Sequence, residues 1–194
     1  MSAKGSITTA DFLPFSEYRR LLHCLEQDNQ HFWALYCTLS FCLGLRVSDV
    51  LQLTWERVLD RTSLIVEEKK TKKVKSIPIA VGAQERIKDV YKALGYPDKS
   101  EYIFCNRFGK MMSRQYINRI MKGWIERYDL PIKNFSTHSF RKTFGRYVYE
   151  TKGRTEESLI ILMHIFRHTD IRTTKIYIGL TNDEVGDIFS SIKL

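Results

Sequence analysis

One tyrosine near the end of the chain, Tyr177, lies in the basic stretch HIFRHTDIRTTKIYIG, residues 164–179. The stretch also holds two histidines, two arginines and a lysine. A phenol is a weak nucleophile at its free pKa of about 10, and it reacts only where bases and cations assist it. His168 precedes the tyrosine and is a candidate for such assistance. On this stretch alone, Tyr177 is either a nucleophile or a packing residue in basic surroundings.

The two histidines of this stretch, His164 and His168, are spaced so that they would share one face of a helix. Such a pair can bind zinc, but the zinc-binding H-E-x-x-H pattern has glutamate after the first histidine. Ile165 occupies that position here. The sequence therefore predicts no metal site, and His164 is interpreted as a packed or surface histidine.

A second group of candidate residues lies in STHSFRKTFGRYV, where His138 and Arg141 have the spacing of neighbours on one helix face. Phe140 and Phe144 supply the opposite, buried face. A histidine and an arginine presented together near a helix start, with Thr137 as its cap, form a plausible phosphate seat. The alternative interpretation is a solvated polar face.

A third candidate is Arg46, which follows the apolar helix that Gly44 ends in the stretch LGLRVSDVLQL. An arginine beside a core is costly to bury unless it is paired or meets an anion. Asp49 follows at a spacing that also allows an ordinary surface ion pair, which would contribute little. This stretch alone favours the ion pair.

Five lysines cluster in the stretch KKTKKVK, at positions Lys69, Lys70, Lys72, Lys73 and Lys75. They fall between two runs that read as strands, so they are predicted to form the tip of a hairpin. A charged tip is usually a solvated edge that discourages sheet pairing. It also has the right shape to reach a nucleic-acid backbone.

The elements that must position these residues are mostly helical. Apolar periodicity predicts helices before and after the lysine turn, with the nearly all-apolar HFWALYCTLSFCL at the centre of the core. Three residues are predicted helix caps, namely Ser16, Ser113 and Thr137, and a further helix is predicted to begin after Thr155. A capping box, Thr181 with Glu184, is predicted to open a last helix. WERVLD, SLIVEE and KSIPI read as three short strands, which gives an α+β fold with one small antiparallel sheet.

Composition narrows the class of partner. The 194 residues carry a net charge of +9 with a pI near 9.4, and such an excess of lysine and arginine suits nucleic acid. No apolar run is long enough to span a membrane, and the N-terminus lacks a secretory signal, so an intracellular protein without membrane contact is expected. The four cysteines form no C-x-x-C pair and are interpreted as reduced thiols.

The order of these groups is more specific than any one of them. LGLRVSDVLQL, the KKTKK turn ahead of SIPI, HSFRKTF and FRHTDIRTTKIYI follow one another as in the catalytic domain of the tyrosine recombinases, the phage integrase family, which the chain resembles. The resemblance implies a mainly helical domain with a small three-stranded antiparallel sheet. It implies that a tyrosine attacks a DNA phosphodiester to form a 3′-phosphotyrosyl bond, without cofactor or metal.

The resemblance also implies roles for individual residues. Tyr177 matches the nucleophile, and Arg46 and Arg141 match the arginines that hold the phosphate oxygens. His138 matches the general acid/base, Lys70 the general acid for the leaving oxygen, His168 the last phosphate ligand and Asp49 a bracing acid. Lys72 or Lys73 could replace Lys70. Further DNA contacts are expected from the surrounding basic residues, Lys69, Lys72, Lys73, Lys75, Arg172 and Lys175. One departure is that His168 follows Phe166-Arg167, where the family usually has Leu-Gly.

The expected organisation is a flexible tail, residues 1–10, and a catalytic domain, residues 11–194. Expected partners are double-stranded DNA at a specific recombination site and further copies of the chain, in a tetramer held by the helix after Thr181. The isolated chain is expected to be a monomer, and the location to be the cytoplasm of a bacterium, at the nucleoid. The alternative is a catalytically silent DNA-binding regulator that keeps the fold.

Overall fold

The fold is known from a computed structural model that describes residues 10–67 and 74–180. The helices in these residues are α1 (Phe15–Gln27), α2 (His31–Cys42), α3 (Val47–Leu51), α4 (Trp55–Val58), α5 (Val81–Ala93), α6 (Arg114–Arg127), α7 (Ser139–Thr151), α8 (Glu156–Phe166) and α9 (Ile171–Tyr177). The strands are β1 (Ser63–Glu67) and β2 (Val74–Pro78). None of the described helices has the length and apolar character needed to cross a membrane.

Helix α2 lies at the centre of the core, as its sequence predicts. Residues 34–41 of this helix are all buried, and the helix packs against α1, α5 and α7. A helix that is apolar on every side can only be accommodated by covering every side. Gly44 follows its end with a φ of +56°, a conformation that glycine adopts at little cost.

The sheet differs from the prediction. Within the described residues β1 and β2 form a two-stranded antiparallel sheet, with Ser63 opposite Pro78 and Glu67 opposite Val74. The third predicted strand, in WERVLD, is instead the helix α4. Trp55 and Val58 are both buried, a three-residue spacing that suits a helical turn and conflicts with strand alternation. The expectation of three strands was therefore wrong.

One of the three predicted helix caps, Ser113, is confirmed, and the helix predicted after Thr155 begins there with that residue as its cap. The Ser113 hydroxyl accepts a hydrogen bond from the Tyr116 backbone N–H at 3.2 Å, and the Thr155 hydroxyl accepts one from Ser158 at the same distance. Each bond satisfies one of the free N–H groups at a helix start. The predicted capping box at Thr181 lies outside the described residues.

The other two predicted caps were wrong. Helix α1 begins one residue before Ser16, with Pro14 at its N-cap position, and no side chain caps it. Helix α7 has His138 rather than Thr137 at its N-cap position, and no side chain caps it. The Thr137 backbone N–H is instead held by the side chain of Asn118 at 2.9 Å.

A second, smaller apolar cluster lies beyond the main core. It is formed by α8, α9 and the residues that follow them, with Phe166 and Ile178 fully buried. Phe144 on α7 packs against both clusters, so this helix joins them. Gly145 allows the close approach, since a Cβ there would lie 2.6 Å from Ile178 Cγ2. Helix α7 therefore contacts both the main core and the residues at the end of α9.

Candidate active site

Arg141 is the central residue of the candidate site. It lies on the first turn of α7 and is 6% exposed. Its guanidinium donates hydrogen bonds to the backbone oxygens of Gly44, after α2, and of Phe166, at the end of α8, the latter at 3.0 Å. The group also lies 4.4 Å from the centre of the Phe166 ring. Arg141 thus holds three segments together that are far apart in sequence.

Tyr177 is already seated in this site by its own chain. Its ring packs edge-to-face against the rings of Phe166 and His168, each with a centroid distance of 5.2 Å. Burial raises the pKa of the Tyr177 phenol, and the charge and side-chain hydrogen bond of Arg141 lower it in part. The structure therefore brings Tyr177 together with two other candidate residues, His168 and Arg141.

His168 is held in a fixed orientation beside the tyrosine. Its Nδ1 lies 3.0 Å from the Thr174 hydroxyl, at hydrogen-bonding distance, and its backbone N–H donates to Met163 at 3.0 Å. Arg167 ends α8 in the left-handed conformation, with φ at 57°. Arginine therefore adopts the conformation for which the usual glycine is suited, and the turn into His168 is formed despite the substitution.

His138 is half-buried at the start of α7. Burial lowers the pKa of its imidazole, and four nearby positive charges lower it further: Arg114, Arg141, Lys142 and Arg46. The imidazole is therefore neutral near pH 7 and able to accept a proton. Arg114 was not among the residues expected from the sequence. Arg114 directly follows the Ser113 cap, and nothing in this sequence position predicts that its charge would act on His138.

Arg46 and Asp49 both lie near the same centre. Arg46 occupies the N-cap position of α3 with an exposed side chain. Burial lowers the pKa of His168, and the charges of Arg141 and Arg46 lower it further. The charge of Asp49 acts on Arg141. Both residues are described, and no ion pair joins them. The surface ion pair that the stretch alone favoured is thus not formed.

The electrostatics of the site favour an anion. Burial lowers the pKa of Arg141 to about 10, so that the group stays protonated at neutral pH. The charges of two guanidiniums, Arg46 and Arg141, act together on the imidazoles of His138 and His168 and on the phenol of Tyr177. Fixed positive donors in a partly dry site stabilise negative charge that develops on a bound group. Among the described residues, no group of three or more histidine, cysteine or acidic side chains could hold a metal ion.

Only some of the remaining basic candidates lie within the described residues. Four of the five turn lysines, including Lys70, lie outside the described residues, and the fifth belongs to β2 by its backbone. Arg172 is exposed on α9, and Lys175 is half-buried on the same helix. Their contact with DNA stays a prediction.

One buried residue of this region was missed. Lys142 follows Arg141 on α7 and is 7% exposed, with its Nζ 5.4 Å from the centre of the Tyr177 ring. The residue after a helical arginine normally points to a different face, so its sequence position gave no reason to place it near the nucleophile.

The fold is that of known recombinases. The crystal structure of XerA recombinase superposes with a TM-score of 0.72 at 18% identity, over 94% of this chain and 66% of that chain. A post-cleavage complex of the XerH site-specific recombinase, bound to palindromic difH substrate, gives 0.69 at 18% identity, over 94% and 53%. At such identities the similarity shows the fold alone.

Sequence comparison shows the family. Residues 11–184 match the model of the phage integrase family, and the chain belongs to that family. It is 32% identical to the probable integrase/recombinase YoeC of Bacillus subtilis over 141 residues, which cover 72% of this chain and 73% of that protein. The chain spans about half the length of other relatives, with 52%, 49% and 50% of three proteins named tyrosine recombinases.

Proposed function

We propose that the chain is the catalytic part of a site-specific DNA recombinase in which Tyr177 attacks a DNA phosphodiester. The observation that carries the proposal is the seating of this phenol against His168 and Arg141 within one chain. A residue needed only for packing would not require two guanidinium charges and an imidazole around it. Membership of the phage integrase family supports the same reaction.

The residues of the site divide the reaction between them. The Tyr177 oxygen forms a bond to phosphorus while the bond to the 5′-oxygen breaks, which leaves a 3′-phosphotyrosyl link and a free 5′-hydroxyl. Arg46 and Arg141 stabilise the charge on the non-bridging oxygens, since guanidiniums suit phosphate oxygens bidentately and stay charged. His138, neutral near pH 7, accepts the phenol proton. His168 donates a hydrogen bond to the same phosphate.

The leaving 5′-oxygen needs a proton, which we assign to Lys70, with Lys72 or Lys73 as alternatives on the same turn. Asp49 braces Arg141 through its charge. The phosphotyrosyl bond conserves the energy of the phosphodiester, so the 5′-hydroxyl of a second strand can attack it and restore a continuous strand. No step of this cycle draws on ATP or another cofactor.

The proposed partners are DNA and further copies of the chain. The net charge of +9 suits a phosphate backbone, and the related XerH recombinase has been crystallised on its difH substrate. Strand exchange between two DNA sites requires four tyrosines, so we propose a tetramer held by the helix expected after Thr181. Lys69, Lys75, Arg172 and Lys175 would contact the backbone. The reaction would take place in the cytoplasm, at the nucleoid.

Covalent capture tests the proposal. Because the target sequence is unknown, the protein would be incubated with a pool of duplexes that have randomised arms and a nick that prevents religation. Protein–DNA adducts that survive denaturing detergent would then be isolated and sequenced. We expect an adduct that is lost in Tyr177→Phe and kept in Tyr96→Phe, a variant of an exposed tyrosine.

The outcomes separate the two functions considered. Loss of the adduct only in Tyr177→Phe supports the recombinase. Selection of a tightly bound sequence without any adduct would favour a DNA-binding regulator that keeps the fold, and an adduct that persists in Tyr177→Phe would assign the nucleophile to another residue.

A further inference from the structure

A short segment ahead of the first helix, residues 10–13, is tied to α7 directly behind the site. We call it the leading segment. The Thr143 hydroxyl accepts a hydrogen bond from the Leu13 backbone N–H and donates one to the Leu13 oxygen, both at 2.9 Å. Thr143 and Leu13 are fully buried or nearly so. These two hydrogen bonds to one hydroxyl fix the leading segment against α7.

Lys142 adds a second tie, and this one reaches the nucleophile. Its Nζ donates a hydrogen bond to the Ala10 backbone oxygen at 2.6 Å and lies 5.4 Å from the centre of the Tyr177 ring. A lysine is rarely so buried, because loss of water disfavours its charge. Burial indeed lowers the pKa of Lys142, and the charge of Asp11 in the leading segment partly opposes this. A cation over an aromatic face is attracted by the electrons of the ring.

The leading segment also contacts the chain on the far side of the tyrosine. The Phe12 ring lies close to Gly179, where a Cβ would be 3.8 Å from it. The Arg146 guanidinium of α7 lies over the same ring, 5.1 Å from its centre. The segment therefore contacts α7 and the residues just after Tyr177 together, with Lys142 between them.

We infer that Lys142 is a positioning residue, which holds the Tyr177 ring through the leading segment. It does not contact DNA in this role: its ammonium bridges the Ala10 oxygen and the face of the phenol ring. The rings of Phe166 and His168 pack edge-to-face against the Tyr177 ring, and the Lys142 ammonium provides a further contact with it. The inference rests on the proposed function, since only a nucleophile needs so exact a placement.

The test compares two lysine variants of the same helix. Lys142→Met keeps the apolar stem and removes the ammonium, and Lys142→Arg keeps a cation. Lys152→Met, at the exposed end of α7, is the matched control. We expect Lys142→Met to slow single-turnover adduct formation about 10–100-fold, because a misplacement of about 1 Å can cost that much. DNA affinity should change less than twofold, and Lys142→Arg should recover part of the rate.

A spectroscopic readout makes the result independent of cleavage. The protein is labelled with 3-fluorotyrosine, and the ¹⁹F signal of Tyr177 is assigned by its loss in Tyr177→Phe. This signal should shift or broaden in Lys142→Met and in Phe12→Ala, and stay unchanged in Lys152→Met. A thermal melt by circular dichroism shows whether each variant is folded. If Lys142→Met does not fold, Phe12→Ala still tests the contact between the leading segment and Tyr177.

The two hypotheses fail in different ways. An unmodified protein that forms no adduct refutes the proposed function, while the ¹⁹F spectra still decide the role of Lys142. A Tyr177 signal that is the same in Lys142→Met, Phe12→Ala and the unmodified protein overturns the inference, as does an unchanged rate of adduct formation in both variants.

Discussion

A substitution at Gly145 tests whether the close packing of α7 against the residues around Tyr177 matters for the site. A Cβ at this position would lie 2.6 Å from Ile178 Cγ2 and 2.8 Å from Phe166 Cζ. Ordinary contacts between carbon atoms are about 3.5–4.0 Å. In Gly145→Ala, either the helix or these two side chains must therefore move by about 1 Å. Gly123, on α6, is the matched control, because a Cβ there would have nothing within 4 Å.

The expected stabilities follow from two opposing terms. Alanine in place of glycine inside a helix contributes about 0.8–1.0 kcal/mol at both positions. At Gly145 the overpacking costs about 1–3 kcal/mol, and at Gly123 it costs nothing. Gly123→Ala should therefore be more stable than Gly145→Ala by about 1–3 kcal/mol. At about 2–4 °C per kcal/mol for a chain of this size, calorimetry would resolve the difference in Tm.

The expected activities differ more than the stabilities. Ile178 follows Tyr177 in the chain, and the Phe166 ring packs on the phenol at 5.2 Å. A displacement of about 1 Å there should slow adduct formation by about 10²-fold. If Gly145→Ala were as stable as Gly123→Ala and cleaved as fast as the unmodified protein, the close packing of α7 on the tyrosine segment would be refuted.

Four further predictions address the two imidazoles and the cap of α8. Thr174→Val removes the hydroxyl that lies 3.0 Å from His168 Nδ1 and should slow adduct formation about tenfold, the equivalent of one hydrogen bond, while Thr174→Ser should restore it; equal rates in both would show that the bond is not used. Burial and positive neighbours lower the pKa of His138 and His168, so NMR titration should give midpoints below the ordinary value of about 6.5 in the free protein and higher midpoints with DNA; midpoints above 6.5 without DNA would contradict the burial. Below the unfolded pKa the unfolded histidines bind more protons than the folded ones, so the free energy of unfolding in urea should fall as the pH drops below about 6.5. Thr155→Ala should lower that free energy by about 1 kcal/mol at pH 7.5, with Thr155→Ser as its control; no change would mean that the cap bond of α8 contributes nothing.

Local patterns predicted most of the elements correctly. The apolar helix α2 is confirmed, as are the two strands in SLIVEE and KSIPI, the cap at Ser113 and the helix that begins after Thr155. These features depend on residues within a few positions of one another. WERVLD failed because Trp55 and Val58 suit a helical turn as well as a short strand, and only their common burial decides between the two.

The candidate site was predictable for a different reason. The order and spacing of Arg46, His138, Arg141, His168 and Tyr177 identify the family without any knowledge of packing. The structure brings their charges and rings to one centre. Their catalytic roles stay predictions, and Lys70 lies outside the described residues.

By itself, the sequence determined the family, the types of residue that the reaction needs and most of the helices, because each of these is written in short-range order and spacing. Only the tertiary structure decided that Arg141 bonds to Gly44, that the charge of Arg114 acts on His138, and that Lys142 connects Tyr177 to residues before the first helix. The physical reason is that these contacts join residues far apart along the chain. No local pattern specifies which faces of two helices meet, since that depends on how all the apolar surfaces are buried together.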